Sequence, residues 1–224
     1  MAKINSINNA TSELTIDPGA SGDSFVQFDI NTTGKFRVGV DDTDDSFRIS
    51  QGSALGTNDC MIIESSGEIT KPLQSAAAAY LSSTVTNVTG TSAYTIICDT
   101  EIFDNNGDYD NTTGIFSAPT TGRYLICGGI SLVVDSSTGG TQYDCLIVSS
   151  NKTYYFDGGP TRRRVTNYYG SNSAISMSGS LLIDMDASDT VYLRISSSGG
   201  SSDSDDIYGH ATDAYTYFTC HLVS

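Results

Sequence analysis

The sequence predicts an all-β chain in which a small N-terminal β module precedes a jelly-roll β-sandwich. Apolar and polar residues alternate with a period of two along most of the 224 residues, which is the strand pattern, whereas helix-period patterns are nearly absent. Turns marked by Gly and Pro separate about ten short strands in the longer part, as expected for a double-sheet jelly roll. The Lys71-Pro72 dipeptide, where a strand is unfavourable, marks the boundary between the two parts.

The N-terminal module, residues 1–72, has strand patterns at spacings of about ten residues. The apolar residues of 26–30 share one face of a predicted strand, and those of 36–40 repeat the pattern. The segments 31–34 and 41–45 have turn compositions, Asn-Thr-Thr-Gly and Asp-Asp-Thr-Asp-Asp. We therefore expect a small sheet of short strands.

The second part, residues 73–224, carries the stronger strand patterns. Apolar residues fall on both faces of the segment 124–133, which implies burial on both sides, inside the sandwich and against a neighbouring subunit. The Ser- and Gly-rich segments 170–173 and 196–206 are predicted to be mobile surface loops. Further strands are predicted at 94–98, 143–149, 152–156, 175–185, 190–195 and 215–223.

Charge and composition exclude several classes of function. A formal net charge of −15 argues against nucleic-acid binding, which needs clustered Lys and Arg. The N-terminus has no signal-peptide pattern, and no apolar run approaches the ~18 residues of a membrane span, so we expect neither ordinary secretion nor membrane insertion. The five cysteines form no Cys-x-x-Cys pair. Four lie in apolar strand patterns and are interpreted as buried thiols, although the sequence leaves disulfide pairing open.

Catalytic motifs are missing from the sequence. It has two histidines, His210 and His221, and neither belongs to a recognisable nucleophile motif. His221 falls in the last predicted strand, where a structural role is expected. We therefore expect no enzyme and no catalytic residues, and no motif requires a cofactor.

Acidic clusters allow calcium binding as one interpretation. Asp203, Asp205 and Asp206 form one such cluster, and the segments 41–45 and 104–110 hold others. The segment 104–110 does not fit a calcium-binding helix–loop–helix, because Tyr109 and Ile115 occupy key positions. The other interpretation of every cluster is a solvated turn.

The basic segment Arg162, Arg163 and Arg164 holds three of the eleven basic residues and is followed by Tyr168 and Tyr169. Arginine forks bind anionic groups and tyrosines stack on sugars, so these residues are candidates for contact with an anionic surface glycan. An ion pair between subunits and an exposed hairpin loop are the alternatives.

The second part contains a characteristic series of turn and aromatic residues: Asn106-Gly107, Tyr109-Asp110, Thr113-Gly114, Phe116, Pro119, Gly122 and Tyr124, with 178–185, 188–193 and 217–222. Large apolar side chains for the core or the trimer axis come from Phe116, Tyr124, Leu182 and Phe218. In these residues the second part resembles the globular heads of the complement C1q family, whose jelly roll is shared with tumour-necrosis-factor-like proteins. The resemblance implies a homotrimer that binds partners and is not an enzyme.

The N-terminal module has short β segments at residues 34–50, a turn at 56–58 and a further segment at 67–72. In these residues it resembles β-repeat segments of bacteriophage fibres. It implies attachment to a virus particle or a stalk, through contacts with other virion proteins.

Together these patterns predict a bacteriophage virion structural protein, made in the host cytoplasm. It would form a homotrimeric appendage, a tail fibre or tip, whose C-terminal knob binds a glycan or protein of the host surface. A capsid decoration or head-fibre protein without an essential receptor is the first alternative. A polysaccharide-degrading enzyme and a secreted bacterial adhesin are further alternatives.

Overall fold

The computed structural model describes residues 16, 18–19, 21–135, 137–157, 163–164 and 173–224, with the backbone alone at 157, 163–164 and 173. Within these ranges the chain is all-β, as predicted, and contains no helix long and apolar enough to cross a membrane. It divides into two compact units, residues 1–73 and 74–224. This division lies one residue from the predicted boundary.

The first unit is a five-stranded antiparallel sheet with neighbours in sequence order. Short turns join its strands, and Asn31, Asp45 and Asn58 adopt positive φ in them, a conformation that Asn and Asp tolerate better than most residues. The strands are β1 (Ser24–Ile30), β2 (Thr33–Asp41), β3 (Ser46–Gln51), β4 (Asp59–Ile63) and β5 (Ile69–Thr70).

The second unit is a sandwich of two sheets. Sheet I contains β6 (Ala76–Tyr80), β7 (Val85–Thr89), β9 (Thr100–Asp104), β12 (Gly122–Val134), β16 (Ser173–Met185), β18 (Asp205–Ile207) and β19 (Tyr217–Leu222). Sheet II contains β8 (Ala93–Thr95), β10 (Tyr109–Asp110), β11 (Ile115–Ser117), β13 (Gln142–Ser149), β14 (Thr153–Asp157), β15 (Arg163–Arg164) and β17 (Thr190–Ser198).

The long strand β12 organises sheet I. It pairs with β16 along one edge and with β19 and β18 along the other, and β6 and β9 extend the sheet beyond β19. In sheet II, the central strand β17 pairs with β13 and β11. Every pairing between the described strands is antiparallel, and since successive side chains of a strand point to opposite faces, the long strands send alternate side chains to the core.

The core lies between the two sheets. Phe116 packs edge-on against Tyr124 with ring centroids 5.8 Å apart, and Tyr109 stacks on Phe218 at 5.4 Å. Gly128 lets the sheets approach closely, because a Cβ there would lie 2.5 Å from a methyl group of Leu193. Packing across the sandwich thus joins residues that are far apart in sequence.

Parts of the loop and strand predictions were wrong. The segment 196–206 is not a simple surface loop, because β17 continues to Ser198 and β18 begins at the fully buried Asp205. Strands β7 and β9 were not predicted, since their polar residues gave no apolar alternation. The predicted loop at 170–173 lies outside the described residues, apart from the backbone of Ser173 at the start of β16.

Candidate functional site

One face of sheet I packs on the core and the other is open. Strand register arranges the residues of this open face in rows across the sheet. The middle row is Ser180, Cys127, Thr219, Ala78 and Phe103. The row on one side of it is Ser178, Gly129, Tyr217 and Tyr80. The row on the other side is Leu182, Leu125, His221 and Ala76.

These three rows contain no Asp, Glu, Lys or Arg, although the chain carries a net charge of −15. Most of their residues are small, which makes the open face flat, while Leu182 and Phe103 are 55% and 48% exposed. A sheet face directed to water normally carries polar and charged side chains. The open face instead has the composition of a contact surface.

An ion pair marks one end of the open face. Arg123 on β12 and Asp184 on β16 are direct cross-strand partners, and their side chains approach to 3.2 Å. Both side chains are exposed, so the pair contributes little to stability. Charges therefore occur at the border of this surface and not at its centre.

A cluster of aromatic side chains lies in the connection between β18 and β19. Tyr208 and Tyr215 make an edge-to-face contact at 5.1 Å, and His210 lies 3.0 Å from Asp213. The hydroxyl of Tyr80, on the open face, donates to the carbonyl of Ala211 and ties the connection to sheet I. Sequence reasoning missed this cluster, although the dense tyrosines between 208 and 217 were a signal for it.

The predicted core or trimer residues fall into two groups. Phe116, Tyr124 and Phe218 are buried in the core, whereas Leu182 lies on the open face. Alternation along β16 explains the difference, because even-numbered residues of 174–184 point away from the core. Leu182 therefore remains a candidate for contact with a neighbouring subunit.

The predicted calcium residues do not converge in the structure. Asp203 accepts hydrogen bonds from the backbone and side chain of Thr91 and from Ser92, and these bonds lower its pKa. Asp205 is buried, and Asp206 accepts a hydrogen bond from the backbone of Asn87. Each carboxylate thus fixes a different segment, and calcium binding by the three stays a prediction.

Within the described ranges, Asp41 and Asp42 of the predicted acidic segment 41–45 join Asp23, and their carboxylate oxygens lie within 4.8 Å of one another. The group borders a cleft of about 580 Å³ in the first unit. Its oxygens already have donors: Arg48 lies 3.2 Å from Asp41, and the backbone of Gly22 donates to Asp42. The arrangement is that of a turn held by carboxylates, with one cation as counter-charge.

The predicted basic and aromatic segment lies largely outside the described residues. Arg162, Tyr168 and Tyr169 are not described, and Arg163 and Arg164 are described as backbone, in β15 beside β13. Their interpretation as a contact for an anionic glycan stays a prediction.

The cysteines are free thiols. Burial raises the pKa of Cys98 to about 12 and also raises that of Cys220. Cys145 is buried as well, whereas Cys60 and Cys127 are partly exposed. Cys127 was predicted to be buried in a strand, and its partial exposure follows from its place on the open face.

Comparison with known proteins gives a family for the second unit. The C1q domain model matches residues 78–223, about two thirds of the chain. Among solved structures, the globular domain of a zebrafish complement 1qA protein is 13% identical, with 67% of this chain and 98% of that chain covered and a TM-score of 0.46. The Eiger TNF of S. frugiperda is 12% identical, with 67% and 93% covered and a TM-score of 0.45. Murine APRIL is 10% identical, with 67% and 99% covered and a TM-score of 0.41. No curated protein sequence matches.

Proposed function

The chain belongs to the C1q domain family, and on this premise we propose that it is a homotrimeric, non-enzymatic structural protein of a bacteriophage particle. The C1q domain would form a trimeric knob that contacts the host surface. The N-terminal unit would attach the protein to other virion proteins. Threefold display would strengthen weak contacts of each knob by raising the effective concentration of the second and third binding sites.

The proposal of a trimer rests on one observation, that the three rows of the open face contain no Asp, Glu, Lys or Arg side chain. Three copies of a chain with a net charge of −15 repel one another wherever their acidic surfaces approach within a Debye length of ~8 Å. The open face lets subunits meet without bringing carboxylates together. Its small residues also allow the close approach that good packing requires.

A charge placed in the middle row of this face, on the outer strand β16, tests the trimer. The full chain should have a native mass of three times 23.7 kDa by light scattering, and Ser180→Arg should lower it to that of one chain. The control is Ser117→Arg, which adds the same side chain at an exposed position of sheet II. A monomeric natural chain, or a trimer unaffected by Ser180→Arg, would contradict the proposed interface.

The bacteriophage assignment rests on the fibre-like segments of the N-terminal unit. Free thiols suit assembly in a reducing cytoplasm. Antibody labelling of phage particles, imaged by electron microscopy, tests the location. Label at the tail tip supports the host-contact role, and label on the capsid favours a decoration or head-fibre protein. Particles without label would refute the virion assignment.

Host contact is proposed for the segment containing Arg162, Arg163 and Arg164. Binding of the fluorescent natural trimer to host cells should fall at least about tenfold when all three arginines become glutamine, since each fork can hold an anionic group bidentately. Arg123→Gln removes one exposed guanidinium elsewhere and should leave binding unchanged. Equal binding by all the proteins would exclude the arginine segment as the receptor contact.

A further inference from the structure

The N-terminal sheet exposes large apolar side chains, and most of the side chains that it buries are polar. Among the described residues of this unit, Leu55 is the one buried apolar side chain. The buried polar side chains are Asp41, Ser46, Ser50 and Asp59. This reverses the usual distribution for a sheet with one covered face.

Strand register collects the exposed apolar residues on one side, which we term the apolar face. Between β1 and β2, Val26 pairs with Val38 and Phe28 pairs with Phe36. Val40 of β2 lies between Ser24 of β1 and Phe47 of β3. The side chains of the apolar face are Val26, Phe28, Ile30, Phe36, Val38, Val40, Phe47, Ile49, Met61, Ile63 and Ile69.

The opposite side carries an ion-pair network over β2 to β4. Arg48 contacts Asp41, Asp44 and Asp59, and its side chain is 12% exposed. The Ser50 hydroxyl donates to Asp59, whose carboxylate also accepts from the backbone of Gly56 in the β3–β4 connection. The network fills this side over β2 to β4, while Gln27 and Asp29 on β1 stay exposed there. The exposed apolar side chains of the sheet therefore lie mainly on the apolar face.

The exposed area is that of a specific contact. Phe28, Ile30 and Ile69 are 55%, 62% and 59% exposed, and Val26, Phe36, Val40 and Phe47 are about 40% exposed. At roughly 150–200 Å² for each full side chain, these fractions amount to about 600 Å² of apolar surface per copy. That is at the top of the range for the largest patch on a monomer and close to one partner's share of a standard interface.

We infer that other copies of this chain cover the apolar face, so that the N-terminal sheets pack on one another within the trimer. The inference rests on the proposed trimer, which brings the copies together. A single sheet that buries one leucine gains too little hydrophobic free energy to offset the ordering of its strands. Mutual packing supplies the missing second layer.

The lack of charge on the apolar face favours other copies of this chain as the partner that covers it. The apolar face has no ionisable side chain, so copies meet there without repulsion despite a net charge of −15 each. A trimeric C1q domain holds the attached sheets at an effective concentration of the order of millimolar, at which a modest apolar contact is populated. The same acidic charge disfavours an anionic lipid surface as the occupant.

Thiol labelling at two adjacent positions tests the inference in the full-length chain. Val26→Cys places a thiol on the apolar face, and Gln27→Cys places one on the opposite side of the same strand. We expect iodoacetamide to label position 26 at least about tenfold more slowly than position 27 in the trimer. With Ser180→Arg present, the two rates should become similar, because the chains separate.

Each other outcome has a distinct meaning. Rapid labelling at position 26 in an intact trimer would overturn the inference and leave the proposed trimer standing. Slow labelling at position 26 in both the trimer and the separated chain would overturn it too, since the face would then be protected without a second copy. A natural chain that is monomeric would refute the proposed trimer and this inference with it.

A second variant disrupts packing at the apolar face and leaves the trimer of C1q domains intact. Phe28→Glu, combined with Val26→Cys, introduces like charges on the apolar face but does not alter the C1q domain. We expect the native mass of a trimer with fast labelling at position 26. The control Gln27→Glu adds the same charge on the other side and should leave labelling slow. Slow labelling in Phe28→Glu would contradict packing of these faces on one another.

Discussion

The hydroxyl of Tyr143 lies 2.7 Å from a carboxylate oxygen of Asp205, and both side chains are fully buried in the C1q domain. The same carboxylate accepts hydrogen bonds from the backbone of Asp135 at 2.9 Å and of Gly140 at 2.7 Å. Burial raises the pKa of Asp205 despite these donors. One carboxylate thus fixes the β12–β13 connection against β18.

Removal of the Tyr143 hydroxyl is expected to destabilise the C1q domain. Tyr143→Phe leaves Asp205 buried with one donor fewer, which costs about 1–3 kcal/mol in free energy of unfolding. Urea unfolding measures the loss. The control is Tyr192→Phe on β17, expected to change stability by less than about 0.5 kcal/mol. Equal losses in the free energy of unfolding for the two substitutions would show that the buried hydrogen bond does not stabilise the domain more than an ordinary tyrosine hydroxyl does.

The connection held by Asp205 also gives an acid-dependent contribution to stability. The side chain of Ser137, together with the backbone of Thr138 and Ser137, donates to Asp135 and lowers its pKa to about 2. A lowered carboxyl pKa contributes stability above the usual value near 4, and this contribution is lost as the pH falls from about 4 to 2. Asp135→Asn should therefore destabilise the protein at pH 7 but not below pH 2. Urea midpoints measured across this range check the expectation, and a difference independent of pH would refute it.

Arg48 is expected to be essential to the N-terminal unit alone. Arg48→Met leaves Asp41 and Asp59, which are 6% and 7% exposed, without their cation, at a cost of roughly 3–5 kcal/mol. Hydrogen exchange should rise in strands β2 to β4 and stay unchanged in the C1q domain. Arg37→Met, which removes a guanidinium stacked on Phe25 near the same surface, is the milder control. Protection retained in Arg48→Met would contradict the role of the ion-pair network.

The sequence predicted those parts of the fold that local patterns specify. Apolar residues at every second position over most of 175–185 identified β16, and apolar residues on both faces of 124–133 identified β12. Local patterns failed for β18, since Asp205 and Asp206 resemble a solvated loop until Tyr143 and Gly140 provide partners for the buried carboxylate. Such partners lie more than 60 residues away in sequence and come together only through folding.

The candidate surface was predictable in part for the same reason. The two apolar faces of 124–133 indicated a second contact, which corresponds to the open face of sheet I. The other residues of the open face could not be predicted, because Ser178, Ser180 and Thr219 belong to no recognisable sequence pattern. Their place on this face follows from their register with β12. The aromatic connection at 208–216 likewise depends on tertiary contacts.

Two glycines of the C1q domain should differ in their tolerance of a side chain. Gly107 and Gly114 have φ values of 71° and 75°, so alanine at either costs roughly 1–2 kcal/mol of backbone strain. At Gly114 a Cβ would also lie 2.5 Å from the carbonyl oxygen of Ile96, whereas Gly107 has open space. Gly114→Ala should therefore lower the urea midpoint clearly more than Gly107→Ala. Similar midpoints would show that the backbone at 114 shifts freely.

Native thiol labelling should report the trimer through Cys127. Cys98, Cys145 and Cys220 are buried and should react slowly, since burial raises the pKa of Cys98 and Cys220 and thiolate is the reactive form. Cys127 is partly exposed on one chain, but subunit contact at the open face would protect it. We expect Cys127 to label slowly in the natural protein and at least about tenfold faster with Ser180→Arg, as measured by mass spectrometry of the labelled peptides. The control Ser117→Arg should leave its rate unchanged, and fast labelling of Cys127 in a natural trimer would place the subunit contact elsewhere on the domain.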